Sequence, residues 1–407
     1  MAYNKKLLYV SEAPVWITEA GSFGTFNQDG NPISNINLSA AEFFNDVITY
    51  SVTSGSLPTG LSLNGSTGVI SGTISGYTDL ETVEISITAT DSEGETAVRD
   101  FGFNIVPVYQ IDYFLVAGGG GAGVRHSGGG GAGGYKSGSL TSNSSTLYSF
   151  IVGAGGANGT AESQDGGQGT NTSMEYNSNF VIADGGGFGG TYKDAGTTNG
   201  SNGGSGGGAG YNGSPGTGIS GQGFNGGDDG GSEGHVGGGG GGGATSSGGG
   251  CTLSIAGHGG SGIFCNLDGF YYAGGGGGSS WGGSKVAGNG GIGGGGGGGA
   301  ANGSGSMTAG IGGGSARNNG ENGLVGIGGG SNGSGGNAGA NTGSGGGGSG
   351  QGSYQDYLGI GGAGGSGVVV FRMPTESYSG VTTGNPTVTT DGSDTILTYT
   401  GSGTYTG

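Results

Sequence analysis

Two clusters in this 407-residue chain have residue types and spacing that suggest chemistry. Cys251, His258 and Cys265 stand seven apart, and two thiolates with an imidazole are three of the four ligands that a zinc ion takes. No C-x-x-C pair or second histidine accompanies them, and His126 and His235 lie far off in sequence. The two cysteines therefore read either as buried small side chains or as a disulfide pair. Gly118, Gly120 and Gly123 spell G-x-G-x-x-G behind an apolar run, the arrangement that binds a dinucleotide when a helix follows and an acid stands about 20 residues on. VRHSGGGGAGGY follows instead, and the next acid is Glu162. No Ser or Cys is accompanied by a plausible base and orienting group, and acid pairs such as Asp228 and Asp229 sit among glycines where burial cannot tune a catalytic pKa. The chain reads as a non-enzyme with no cofactor and no metal.

Aromatic residues carry more information. Tyr192, Tyr211, Phe224, Tyr271, Tyr272, Trp281, Tyr354 and Tyr357 interrupt the glycine runs, often beside Asn, Asp or Ser. Loops rich in Tyr, Gly, Ser and Asn have the composition of binding surfaces, because flat rings supply contact area at little entropic cost. Two readings stand: these rings bind a partner, or they cap the ends of the glycine segments and bury themselves there. Phe224 and Tyr272 lean toward capping; Trp281, Tyr211 and Tyr354 lean toward binding.

The elements that must position these residues are set by an uneven use of glycine. Of 120 glycines, 103 lie between residues 111 and 373, and the hydrophobic fraction is 30%, too low to fill a conventional core of this length. The composition divides the chain into an arm (1–12), a first domain (13–110), a glycine-rich domain (111–373) and a C-terminal β segment (374–407). Residues 13–110 hold short β-type runs about ten residues apart, among them VEISITAT at 83–90, where apolar and polar residues alternate as one buried face requires. Trp16, Tyr50, Leu61, Ile70, Ile87 and Phe103 are its expected core. SAAE at 39–42 matches a capping box, which predicts at most one helical turn in a chain with almost no α-helix. DTILTYTGSGTYTG at the C-terminus predicts one or two strands whose partner stays open.

The net charge of −18 repels phosphate, which argues against nucleic acid or an anionic membrane as partner, and no window is apolar enough for membrane insertion. MAYNKKLLYV has a basic start but neither the long apolar stretch nor the cleavage site of an export signal, so release by cell lysis is expected.

PVWIT, ITYSVTSGSLPTGLSLNGSTGVISGT and ITATDSEGETAVRDFGFNI resemble the Ig-like, cadherin-related modules of bacterial surface and phage proteins. The resemblance implies an antiparallel, seven-strand β-sandwich used as spacer or attachment module. Some cadherin relatives bind calcium, and Asp91, Glu93 and Asp100 admit that reading beside the plainer one of a solvated acidic turn.

The ordered series IDYFLVAGGGGAG, LYSFIVGAGG, NFVIADGGG, FYYAGGGGG and GGSGVVVFRMP resembles the glycine-rich domain of phage tail fibre and adhesin proteins. That resemblance implies packed polyglycine II helices with short flanking strands: left-handed, three residues per turn and without internal hydrogen bonds. Interior positions such as Gly296 would then admit nothing but glycine, whereas Gly213, beside Tyr211, would tolerate a side chain. Collagen is excluded, since the glycines run consecutively and there are 7 prolines. The implied function is a virion tail fibre or fibre-tip adhesin, and a homotrimer is the expected assembly. Its expected partners are other virion proteins and a bacterial surface polysaccharide or outer-membrane protein. A non-receptor decoration spike and a bacterial surface adhesin are the alternatives.

Overall fold

The computed structural model describes residues 12–42, 47–160, 165–192, 197–230, 237–282, 285–301, 306–326, 333–351 and 359–407. The chain divides into two compact units, Met1–Tyr109 with Thr141–Ser145, and Gln110–Leu140 with Thr146–Gly407.

The first unit is the expected β-sandwich. Strand β1 (Val15–Trp16) is followed by β2 (Gly21–Gln28), β3 (Ile36–Asn37), β4 (Ala40–Ala41), β5 (Thr49–Ser54), β6 (Leu61–Asn64), β7 (Val69–Gly72), β8 (Glu81–Thr90) and β9 (Thr96–Val116). One sheet pairs β5, β8 and β9 antiparallel, with β2 joining β9 in parallel; the other is β3-β7-β6, and β1 pairs β4. Alternation along β8 and β9 turns Ile85, Ile87, Ala89, Phe101, Phe103 and Ile105 inward against Trp16, Leu38, Ile70 and Ile74, with Tyr50 and Leu61 partly buried beside them. The capping-box segment is not helical. Ala40–Ala41 is strand β4, because Ser39 O accepts the N–H groups of Ile17 and Thr18 and Tyr50 OH accepts that of Ala40. The phenylalanines that follow lie outside the described residues.

In the second unit the two apolar runs that flank the glycines meet. β19 (Val368–Pro374) pairs antiparallel with the end of β9, Val368 opposite Val116 and Arg372 opposite Asp112. Further strands are β10 (Tyr135–Asn143), β11 (Leu147–Ile151), β12 (Thr172–Tyr176), β13 (Asn179–Ala183) and five two-residue pieces, β14 (Ile263–Phe264), β15 (Tyr271–Tyr272), β16 (Ser280–Trp281), β17 (Ala300–Ala301) and β18 (Val325–Gly326). Residues 374–407 hold four strands, β20 (Val381–Thr383), β21 (Thr387–Asp391), β22 (Asp394–Tyr399) and β23 (Gly403–Thr406), and the last two are those expected of DTILTYTGSGTYTG. β22 pairs β19 and β23 pairs β11, which supplies the partner that the sequence left open. The two sheets close on aromatic rings: Phe371 lies 5.1 Å from Phe150 and from Tyr148, and Phe150 lies 4.6 Å from Tyr399.

The glycine segments between these strands form a bundle with a three-residue period. From one segment, Gly128, Gly131 and Gly134 donate to Gly190, Gly187 and Asp184; Gly129 and Ala132 donate to Gly239 and Gly242; Gly130 and Gly133 donate to Gly346 and Gly343, all at 2.8–3.0 Å. Every third N–H returns to the same neighbour, and the partner number steps by three, falling for antiparallel neighbours and rising for the parallel one. A chain that turns once in three residues has no bond to itself, so each amide must find its carbonyl elsewhere. The approach leaves no room for a β-carbon: one built on Gly130 would lie 2.1 Å from Gly120 O, and one on Gly296 would lie 2.0 Å from Gly336 O.

At the rim a side chain replaces the missing neighbour. Asn199 and Asn202 accept the N–H groups of Ser214 and Thr217, three apart on both segments, and Asn225, Asn289, Asn322 and Asn337 do the same for Gly218, Ile311, Gly312 and Ala363. Gly213, expected to tolerate a side chain, does not lie in open space: its N–H donates to Gly210 O, and a β-carbon would lie 2.1 Å from Thr198 O. Gly314 is the contrasting position, with its nearest atom at 3.9 Å. Gly296→Ala should therefore cost more than about 3 kcal/mol and Gly314→Ala about 0.5 kcal/mol or less, read as thermal midpoints of the two variants.

Candidate functional site

The register places the ends of several distant segments at one level. Ser127 N–H donates to Ser349 O, Ser279 N–H to Ser127 O, Gly238 N–H to Ser279 O, Gly128 N–H to Gly190 O and Gly190 N–H to Gly208 O. Here the chain reverses between two glycine segments through Val124, Arg125, His126 and Ser127, a turn built from non-glycine residues. Arg125 and His126 hold φ of 58° and 44°, left-handed values that cost about 1 kcal/mol or more each and persist only where the surroundings impose them. Three buried hydroxyls supply that support. Ser127 Oγ donates to Gly123 O (2.7 Å) and accepts Ser349 N–H (2.7 Å), Ser349 Oγ accepts Arg125 N–H (3.2 Å), and Ser279 Oγ donates to Ser127 O (3.0 Å).

The turn presents His126 to three rings from other segments. Ring centroids lie 5.0 Å from Trp281, 5.4 Å from Tyr192 and 6.2 Å from Tyr211, and Tyr192 and Tyr211 lie 5.3 Å apart. The imidazole is buried, while the three aromatic side chains are half-buried and keep part of their surface in solvent. Burial, aided by the neighbouring Arg125 charge and opposed by a hydrogen bond with Gln351, lowers the His126 pKa from 6.5 to about 4. The histidine is neutral at physiological pH and acts as a fourth flat ring.

The remaining candidates are located elsewhere. Tyr135 N–H donates to Gln222 O and Ala244 N–H to Ala273 O, which marks the opposite end of the bundle, and Phe224 and Tyr272 are beside these residues. Phe224 is exposed and borders a groove of about 440 Å³ with Tyr135 and Gln222. Tyr271 is exposed and packs on Phe264 at 5.1 Å. Tyr272 is fully buried, its hydroxyl donates to Asp268 Oδ2 (2.6 Å), and burial pushes its pKa up. Tyr354 and Tyr357 lie outside the described residues. His126 was not singled out from sequence, because a lone histidine in GVRHSG carries no local signal.

The other motifs are used structurally. Gly118, Gly119, Gly120 and Gly121 donate their N–H groups to Thr170, Gly365, Gly131 and Gly167, so these amides are not free to cradle a phosphate. Cys251 is buried and donates its thiol to Thr252 O, His258 Nδ1 accepts Asn289 N–H, and Cys265 is buried beside Tyr272 with its pKa pushed up to about 12 by burial and by Asp268. Among the described residues no group of three His, Cys, Asp or Glu is placed to hold a metal. Asp91 Oδ1 accepts the N–H groups of Glu93 and Glu95, and Asp100 accepts the Ser86 hydroxyl, so these carboxylates pin a turn and a strand pair. Asp229 accepts Asn212 N–H.

Residues 96–327, more than half of the sequence, match the family model described as Glycine-rich domain, and the chain belongs to that family. Residues 15–106 match the model described as "Putative Ig domain". Among solved structures the chain is similar to the cadherin domains 1–4 of protocadherin gamma B7 (14% identity, 42% of this chain and 49% of that chain, TM-score 0.23). It is also similar to Drosophila N-cadherin EC1-4 (12%, 42% and 48%, TM-score 0.23) and to human protocadherin-24 EC1-2 (13%, 42% and 93%, TM-score 0.22). The chain spans about half the length of the first two, and likeness at these scores carries no weight for function. No curated protein matches the sequence.

The depressed His126 pKa has a definite sign. Between pH 6.5 and about 4 the unfolded chain binds a proton at this residue that the folded chain does not, so stability falls as pH drops through this window. The loss should be on the order of 3 kcal/mol and complete below the folded pKa. His126→Gln should remove it, so the melting temperature of the variant should fall less than that of the wild type across the same titration.

Proposed function

We propose that the protein is a bacteriophage virion structural protein, a tail fibre or fibre-tip adhesin, in which the glycine bundle holds a recognition surface and the Ig-like unit serves as spacer. The observation that carries this reading is the convergence of Tyr192, Tyr211 and Trp281 on His126 at one end of the bundle. Glycine faces are uniform and cannot discriminate between partners, so specificity must come from side chains at segment ends. Half-exposed rings fixed by a rigid support give contact area with little ordering cost on binding. The three-residue period, with the N–H groups of residues 128–134 each bonded to another segment, supports a polyglycine II geometry for the bundle. The ligand is a surface polysaccharide or an outer-membrane protein loop, and the protein works beside other virion components, binds no nucleic acid and catalyses no reaction. It is made in the host cytoplasm and leaves with the particle on lysis.

The test is attachment of the purified full chain to host cells. Tyr211→Ala combined with Trp281→Ala should weaken attachment a hundredfold or more while the chain stays folded at the assay temperature, since such residues dominate binding surfaces. Undiminished attachment by the folded double variant would remove this surface from the site. A wild-type chain that attaches to no strain its phage infects would leave the decoration-spike reading in its place.

A further inference from the structure

We propose that two copies of this chain pair edge to edge through β13, making a two-fold dimer. The argument starts at Asn177 and Ser178, which join β12 to β13 with φ of 45° and 61°. Two successive left-handed residues make the tight two-residue hairpin, and its register follows: Tyr176 opposite Asn179, Glu175 opposite Phe180, Met174 opposite Val181 and Ser173 opposite Ile182. The pair that closes such a hairpin exchanges both of its hydrogen bonds, and bonded pairs then alternate along the ladder. Asn179 and Val181 therefore bond to β12, whereas Phe180 and Ile182 turn their N–H and C=O groups away from it.

Nothing else in the described chain takes those groups. β13 is the last strand of the sheet β13-β12-β11-β23-β20, and no described segment donates to or accepts from the backbone of Phe180 or Ile182. Natural edges are guarded by lysine, proline, bulges or very short strands, and NFVIA has none of these over five residues. The opposite edge of the same sheet, β20, is three residues long.

The side chains favour a second copy over an unrelated strand. Phe180 is 62% exposed and Ile182 43%, and both lie on the outer face that also carries Ile151 at 61%. An antiparallel pairing centred on Val181 sets Phe180 of one copy opposite Ile182 of the other, and does so twice. It closes four N–H···O bonds and matches apolar rings to branched side chains, a favoured cross-strand combination. Glu175 is the single charged residue of the hairpin strands, so like charges do not oppose the approach. The two apolar side chains at the edge, Phe180 and Ile182, leave roughly 200 Å² per copy to be covered, well below the 800 Å² per partner of a standard interface, so the association should be weak and concentration-dependent, on the order of 10 µM. An edge paired with itself is a two-fold contact and cannot build the homotrimer that the sequence led us to expect.

Sedimentation of the full chain between about 1 and 100 µM reads the result. The wild type should rise from 38.4 kDa toward twice that mass. Phe180→Lys and Ile182→Pro, which put a charge on the edge and remove an outward N–H, should each weaken association at least tenfold with melting temperatures unchanged. Leu147→Lys, on the same face but two strands away from the edge, should associate like the wild type. A wild type that stays monomeric throughout, a threefold mass, or association unaffected by Phe180→Lys would overturn the proposal.

Discussion

A glycine amide that turns away from its own chain every 120° has to find a carbonyl on another segment, and everything else in the larger unit follows from that requirement. Three N–H directions and three C=O directions per turn mean up to six neighbours per segment, as residues 128–134 show by donating to three segments and accepting from three others, and carbonyls 2.8–3.0 Å away leave space for hydrogen and nothing larger. The stabilising contact is thus the hydrogen-bonded approach of backbones, with weak Cα–H···O contacts added, in a region where side chains bury almost no area. Termination is the cost of such an arrangement. Where neighbours run out, Asn carboxamides such as those of Asn199 and Asn202 stand in for a carbonyl, and where segments end, paired strands such as β9 and β19 close the bundle with ordinary apolar packing.

The same constraint decides where function can reside. A body made of interchangeable glycine carbonyls and amides has no chemical individuality, so any selectivity must be carried by the turns at its ends. One end is occupied by strands, the buried Tyr272 and the aromatic core around Phe371. The other gathers His126, Tyr192, Tyr211 and Trp281 around a turn whose left-handed residues are held by buried serine hydroxyls. The gathering of half-exposed rings from distant segments on one such turn is the physical basis of the recognition reading.

Much of the β framework was legible in the sequence because it is locally encoded. Alternation in VEISITAT placed Ile85, Ile87 and Ala89 in the sandwich core, and the apolar runs at 111–117 and 368–373 announced strands, although not that they pair with each other. The bundle was legible as a composition and not as a map: glycine segments are alike, so nothing local says that Gly129 neighbours Gly239 or that Gly213 meets Thr198. Long-range register likewise hid His126, whose importance lies wholly in contacts with residues far along the chain. The capping box at 39–42, read as at most one helical turn, forms none, because Tyr50 and the strand β1 take its backbone groups.

Amide hydrogen exchange along the glycine segments tests the central claim most directly. If successive N–H groups are bonded in turn to separate neighbours, the amides of Gly118, Gly119, Gly120 and Gly121 should all be protected, and to a degree comparable with Val369 and Val370 in β19. A solvated linker carries no such bonds, so exchange of these glycine amides at the rate of a free peptide, beside protected amides in β19, would contradict the account.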